Sequence, residues 1–121
     1  MSEQKGYETL RKLTGDASQD VIENLQSFSP DFGKMMIEFG FGEVYSRPIF
    51  DLKQREMITL TSLITQGAAE PQLVFHYKAA LHVGWTVEEL IEMAIHCAAY
   101  AGFPKASFAL EVLKKVTQEM N

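Results

Sequence analysis

The sequence is poor in several features that define classes of protein. It has a single cysteine, Cys97, among 121 residues, so no internal disulfide can form and a reducing compartment is favoured. No apolar run approaches the roughly 20 residues that a membrane-spanning helix needs. The first residues contain no apolar core of signal-peptide length. We therefore expect a soluble, cytoplasmic protein without a membrane partner.

Positive charge is also scarce. The chain has 11 lysines and arginines against 16 acidic residues, a formal charge of -5, and no run of basic residues. This excludes nucleic-acid binding through a general basic surface. The sequence contains no His-x-x-x-His, Glu-x-x-His or Cys-x-x-Cys pattern, no glycine-rich phosphate loop and no nucleophile elbow. We therefore expect no metal and no organic cofactor.

The sequence does contain apolar segments bounded by residues that typically begin and end helices, and 46% of its residues are apolar. Glycines and prolines separate the segments, and capping residues such as Ser29 and Thr86 precede them. No segment has the alternation of a strand pair. The pattern predicts an all-α bundle of about seven helices in one domain. The predicted helices cover 4–14, 19–27, 30–41, 51–66, 70–84, 86–101 and 104–119.

Two apolar patterns predict packing. In the third helix, Phe32, Met35, Met36 and Phe39 are predicted to face inward. The sixth helix is apolar nearly all round from residue 90 to 101, which is typical of a helix buried on every side. A second subunit could cover it, or it could be the central helix of a monomeric bundle.

Two polar residues are predicted to lie on apolar helix faces. Glu56 shares a face with Leu60 by helical spacing, and His76 lies beside Leu73 and Ala80 on the next helix. A buried glutamate can be half of a structural pair with an arginine such as Arg47, and a lone histidine can be a hydrogen-bonded core residue. Both can also act as an acid or base.

The connection between these two helices is short, which predicts an antiparallel hairpin. At 1.5 Å per residue, Glu56 and His76 are offset by about 6 Å along it. Direct contact is therefore not required, and a substrate or water could lie between them. His82 is predicted nearer solvent, His96 in a helix ion pair with Glu92, and Cys97 as a small buried residue.

Residues 44–106 resemble the carboxymuconolactone decarboxylase family. The matching pieces are R-P-x-x-D-x-K-x-R-E, P-Q-L-x-x-H, A-L-x-x-G-x-T-x-E-E-L-x-E and A-A-Y-A-G-F-P-x-A. The resemblance implies an alkyl hydroperoxidase D-like helical fold with a central hairpin. Residues 1–43 would be N-terminal helices and 44–121 the family core. It also implies a homo-oligomer, a trimer or hexamer, with sites near subunit interfaces.

The family has two enzymatic branches. One removes CO2 from 4-carboxymuconolactone in the catabolism of aromatic compounds, without metal or organic cofactor. The other is a peroxidase that uses Glu-x11-Cys-x2-Cys-x3-His. Counting back from His76 places its two cysteines on Ala69 and Gln72, so the resemblance disfavours thiol peroxidase chemistry here.

The resulting hypothesis is a cofactor-free decarboxylase or lyase acting on a small carboxylated lactone or related acid. The resemblance makes His76 and Glu56 the candidates for proton transfer, with Arg47 holding a substrate carboxylate. Gln72, His82 and Trp85 are candidates to line the substrate pocket. The alternatives are a peroxidase-like member of the family and an oligomeric binding protein without catalysis.

Overall fold

The computed structural model describes residues 2–120, and in this part of the chain every regular element is helical. The prediction of an all-α fold is confirmed. No helix within these residues is both long and apolar enough to cross a membrane. The chain divides between Leu52 and Lys53 into two compact units, called here the N-terminal and C-terminal units. The helices are α1 (Ser2–Thr14), α2 (Ser18–Gln26), α3 (Pro30–Met35), α4 (Leu52–Gln66), α5 (Glu70–His82), α6 (Val87–Ala101) and α7 (Phe103–Glu119), with a 3-10 turn at Gly15–Ala17 and a π-helix at Met36–Val44.

The N-terminal unit is built on the packing of α1 against the π-helix. Leu10 and Leu13 of α1 are fully buried, as is Ile37 of the π-helix. A Cβ atom at Gly6 would collide with the backbone carbonyl of Ile37, so a side chain there would force these two elements apart.

The predicted inward face of residues 30–41 is wrong. Phe32, Met35 and Phe39 are largely exposed and Met36 is half-buried, whereas the buried positions are Gly33, Ile37 and Phe41. The backbone of α3 lies so close to the end of α2 that a Cβ at position 33 would overlap the carbonyl of residue 25. Only glycine fits this close approach, so the face of α3 that carries Gly33 is the face that packs against α2. Beyond residue 35, i→i+5 hydrogen bonds replace the α-helical pattern and shift the later side chains from the predicted spacing.

The C-terminal unit contains the larger core. α4 and α5 form the predicted hairpin, with three residues between the end of α4 and the start of α5. The indole Nε1 of Trp85, beyond the end of α5, donates to the carbonyl of Lys53 at the start of α4 over 2.6 Å. The two helices therefore run in opposite directions. Gly84, in the turn after α5, has a φ of 114°, which a side chain would make strained.

α6 and α7 complete this core. Thr86 and Glu89 form the predicted capping box at the start of α6. The hydroxyl of Tyr77 on α5 donates to the carbonyl of Ala109 on α7 over 3.0 Å. The buried apolar cluster consists of Leu60, Ile64, Leu73, Tyr77, Ala80, Leu90, Met93, Ala94, Cys97, Ala109, Val112, Leu113 and Val116.

Candidate active site

A buried carboxylate lies in the middle of α4. Glu56 has no solvent-exposed surface, as its place on one face with Leu60 predicted. Transfer of an isolated carboxylate out of water is costly, so a buried glutamate requires a partner that compensates it. One such partner is His76.

The Nδ1 atom of His76 lies 2.9 Å from the Oε1 atom of Glu56. The two side chains therefore touch, and the expectation that a substrate or water could separate them is wrong for this pair of atoms. The offset of about 6 Å counted only the rise of the two backbones. The long glutamate side chain closes it.

This contact determines which nitrogen of the imidazole is available for chemistry. With Glu56 as a carboxylate, which only accepts hydrogen bonds, Nδ1 carries the hydrogen and donates it across this contact. The second nitrogen, Nε2, is then the atom that can accept or deliver a proton. The His76 side chain is 11% exposed, and the ring of Phe75 lies edge-on to it with centroids 4.8 Å apart. The imidazole is held in orientation and keeps a small exposed edge.

The other predicted pocket residues lie on α5, in the turn after it and in the segment after the π-helix. Trp85 lies at the start of α4, where the Lys53 ammonium is 4.6 Å from its ring centroid. His82 and Gln72 are exposed on α5. Arg47 belongs to the N-terminal unit, in the segment that follows the π-helix. For all four, a role in substrate binding stays a prediction.

A cavity lies between α4 and α6, with a volume of about 440 Å³. Neither His76 nor Glu56 is among its lining residues, whereas Trp85 is. No sequence pattern indicated this cavity, although Met57 and Ile58 are apolar positions of α4 outside its core face. Its lining residues are Met57, Ile58, Thr61, Trp85, Glu89, Glu92, Met93 and His96.

Two further polar predictions have definite outcomes. His82 is exposed, as predicted. His96 stacks against Tyr100 with ring centroids 5.7 Å apart, and among residues 2–120 no ion pair joins it to Glu92. The prediction of a helix ion pair is therefore wrong, because the imidazole of His96 stacks on the aromatic ring one turn further along the helix.

The chain's single thiol is not placed for peroxidase chemistry of the family type. Cys97 is buried in the core on α6, and α5 carries Ala69 at its N-cap and an exposed Gln72. These are the two positions at which that mechanism needs cysteines. The sequence supports no attacking and resolving pair of thiols.

The fold and this pair of side chains define an all-α protein with a buried carboxylate–imidazole pair across a helical hairpin. The chain belongs to the carboxymuconolactone decarboxylase family, whose model matches residues 30–115.

Three relatives match over most of the chain. The 4-carboxymuconolactone decarboxylase of Acinetobacter baylyi is 32% identical over 117 residues, which cover 96% of this chain and 87% of that protein. The nitrosuccinic acid decarboxylase of Metarhizium robertsii is 31% identical over 108 residues, 89% of this chain and 75% of that protein. Peroxisomal protein 2 of Schizosaccharomyces pombe is 27% identical over 88 residues, 72% of this chain and 41% of that protein. Two of the three are named decarboxylases, which supports a decarboxylase-type enzyme.

Proposed function

We propose that this protein decarboxylates a small carboxylated lactone or a related acid, with His76 as the proton donor and Glu56 as the residue that orients it. The observation that carries the proposal is the 2.9 Å contact between Nδ1 of His76 and Oε1 of Glu56 in a buried environment. The relatives named decarboxylases support the reaction class.

The chemistry needs one proton at one carbon atom. Cleavage of the bond between the substrate carbon and its carboxylate releases CO2 and leaves the electron pair on the substrate as an enolate. The Nε2–H of a protonated His76 gives its proton to that carbon, and the imidazole recovers a proton from water. Glu56 holds the opposite nitrogen and stabilises the imidazolium. A positioned acid of this kind contributes about 10²- to 10⁴-fold in rate.

The direct test is CO2 release from carboxylated lactones, with the product analysed after reaction in D2O. We expect one deuterium at the carbon that lost CO2, and activity that survives a chelator. His76→Ala should lower kcat by about 10²-fold or more. Lys78→Ala is the matched control, because Lys78 is exposed on the same helix and pairs with Glu119. Unchanged turnover in His76→Ala would remove this residue from the mechanism.

The Glu56→Gln variant tests the orienting role separately. Glutamine keeps the size of the side chain but cannot stabilise an imidazolium as a carboxylate does. We expect a lower kcat with little change in KM, since Glu56 reaches the substrate only through His76. A change confined to KM would instead place Glu56 in contact with the substrate.

We also propose that the protein is a homo-oligomer, a trimer or hexamer. The support is an exposed apolar surface at the end of α6 and the start of α7. Tyr100 is 85% exposed and Phe103 is 79% exposed, and Ile95, five residues before Tyr100, is also exposed. Exposed apolar surface of this kind is typical of protein–protein contacts.

A further inference from the structure

The N-terminal unit contains a cavity of about 500 Å³ whose lining includes neither His76 nor Glu56. It lies between one face of α1 and the segment from Tyr45 to Leu52. Its volume falls in the range of small-molecule sites. The lining residues are Lys5, Glu8, Thr9, Lys12, Tyr45, Ser46, Arg47, Pro48, Phe50, Asp51 and Leu52.

Helical spacing explains the polar wall that α1 presents. Lys5, Glu8, Thr9 and Lys12 are separated by three, one and three residues, so they form one face of the helix. Arg11, adjacent in sequence to Lys12, lies on a different face and is not a lining residue. The opposite wall brings Arg47 to the same cavity.

The two lysines differ from other lysines of the chain. Lys34, Lys78 and Lys115 each pair with a glutamate. Within residues 2–120, neither Lys5 nor Lys12 has an ion pair or a side-chain hydrogen bond. Two ammonium groups that form no ion pair within these residues therefore line one cavity, with Glu8 on the same wall.

The cavity as a whole carries more positive than negative charge. Three cations line it, against the two acids Glu8 and Asp51. A guanidinium such as that of Arg47 can hold a carboxylate through two parallel hydrogen bonds. The remaining wall includes the rings of Tyr45 and Phe50, which offer apolar surface to a small ring.

The cavity between α4 and α6 has the opposite character. It is lined mainly by apolar side chains, and its ionisable residues are Glu89, Glu92 and His96. Two carboxylates disfavour a negatively charged ligand at that position. Of these two cavities, the one in the N-terminal unit therefore suits an anion.

We infer that the cavity lined by Lys5, Lys12 and Arg47 binds the carboxylate of a small cyclic acid. This deepens the proposed function and rests on it for the class of ligand, since a carboxylated lactone is such an acid. The guanidinium of Arg47 donates two parallel hydrogen bonds to the carboxylate, and the two lysines of α1 add positive charge around the ligand. Glu8 lowers the affinity, because its carboxylate lines the same wall.

The test measures binding by calorimetry with the full-length protein. The probe is paraconic acid, a saturated γ-lactone that carries one ring carboxylate, and its neutral methyl ester is the control ligand. We expect the acid to bind more tightly than the ester, and its affinity to fall as salt screens the cations. Equal binding of acid and ester would overturn the inference.

The variants assign the effect to this cavity. Arg47→Gln should weaken binding of the acid by about tenfold or more, and Arg47→Lys by less because it keeps the charge without the two parallel hydrogen bonds. Lys5→Gln and Lys12→Gln should each weaken it by about two- to fivefold, and Glu8→Gln should strengthen it by a similar factor.

Arg11→Gln is the matched control, with the same loss of charge on another face of α1, and should leave binding unchanged. A loss in Arg11→Gln equal to that in Lys12→Gln would mean that net charge alone acts, and would overturn the inference. Circular dichroism checks that each variant is folded.

Failure of the proposed function gives a different result. If the protein binds paraconic acid through these residues but releases no CO2 from carboxylated lactones, the proposed decarboxylase activity is refuted and the proposed binding site is not. A protein that releases CO2 from carboxylated lactones but binds paraconic acid no more tightly than its methyl ester refutes the site and leaves the decarboxylase.

Discussion

Removal of the Glu56 carboxylate should be among the more damaging single changes in the core. Glu56 has no exposed surface and contacts an imidazole whose side chain is 11% exposed. In Glu56→Ala the hydrogen on Nδ1 of His76 loses its acceptor, which costs about 1–3 kcal/mol, and the deleted side-chain atoms leave a cavity. Together we expect the free energy of unfolding to fall by about 3–5 kcal/mol, as for other broken buried pairs.

A double-mutant cycle separates the pair from its surroundings. Glu56→Leu alone should destabilise strongly because it strands the imidazole. Glu56→Leu with His76→Leu should recover much of the loss, since well-packed apolar residues often replace a buried pair at little cost. We expect a coupling energy of about 1–3 kcal/mol between the two positions.

The assay is urea unfolding followed by circular dichroism at one protein concentration, because assembly makes stability depend on concentration. Glu56→Gln keeps the volume and an acceptor oxygen, and serves if the alanine variant does not fold. Glu111→Ala is the control at an exposed position on α7, with an expected change within about 0.5 kcal/mol. If Glu56→Ala lowers the free energy of unfolding no more than Glu111→Ala does, Glu56 and His76 do not stabilise each other in the core.

Three further outcomes follow from the C-terminal unit. Thr86→Ala should lower stability by about 1 kcal/mol through the lost cap. Hydrogen bonds from Thr86, of which the backbone N–H has the largest effect, lower the pKa of Glu89. Glu89 therefore contributes stability above a pH of about 4.3 that is lost as the pH falls. This contribution should be smaller in Thr86→Ala. Burial, and to a lesser extent the nearby Cys97, raises the pKa of Tyr77. Tyr77 therefore contributes stability that is present below a pH of about 10 and is lost above it. The free energy of unfolding measured against pH should show less of this loss in Tyr77→Phe. Tyr100→Glu should reduce the particle mass measured by light scattering, and an unchanged mass would place the subunit contact elsewhere.

The helices could be predicted from the sequence because their signals are local. The Ser29 cap followed by Pro30, the Thr86–Glu89 capping box and the glycines after α4 and α5 act within a few residues, and each ends or begins a helix in the structure. The burial of Glu56 was predictable for the same reason, since its spacing from Leu60 is a property of one helix.

The inward face of α3 could not be predicted in this way. Its apolar stripe through Phe32 and Met35 is a good amphipathic pattern, yet that stripe is exposed. The buried face is set by the close approach of another backbone at Gly33, a contact between residues that no local pattern links. The change to a π-helix after Met35 likewise has no counterpart in the predicted spacing.

The sequence by itself determined an all-α chain, placed a carboxylate and an imidazole on apolar faces of adjacent helices, and excluded the paired thiols of a peroxidase. These conclusions depend on residue identity and helical period alone. Only the tertiary structure decided that Nδ1 of His76 meets Glu56 directly, and that Lys12 and Lys5 share a cavity with Arg47, which lies 35 and 42 residues further along the chain. Distances between side chains on different helices depend on how the helices pack, and that packing is a property of the whole fold.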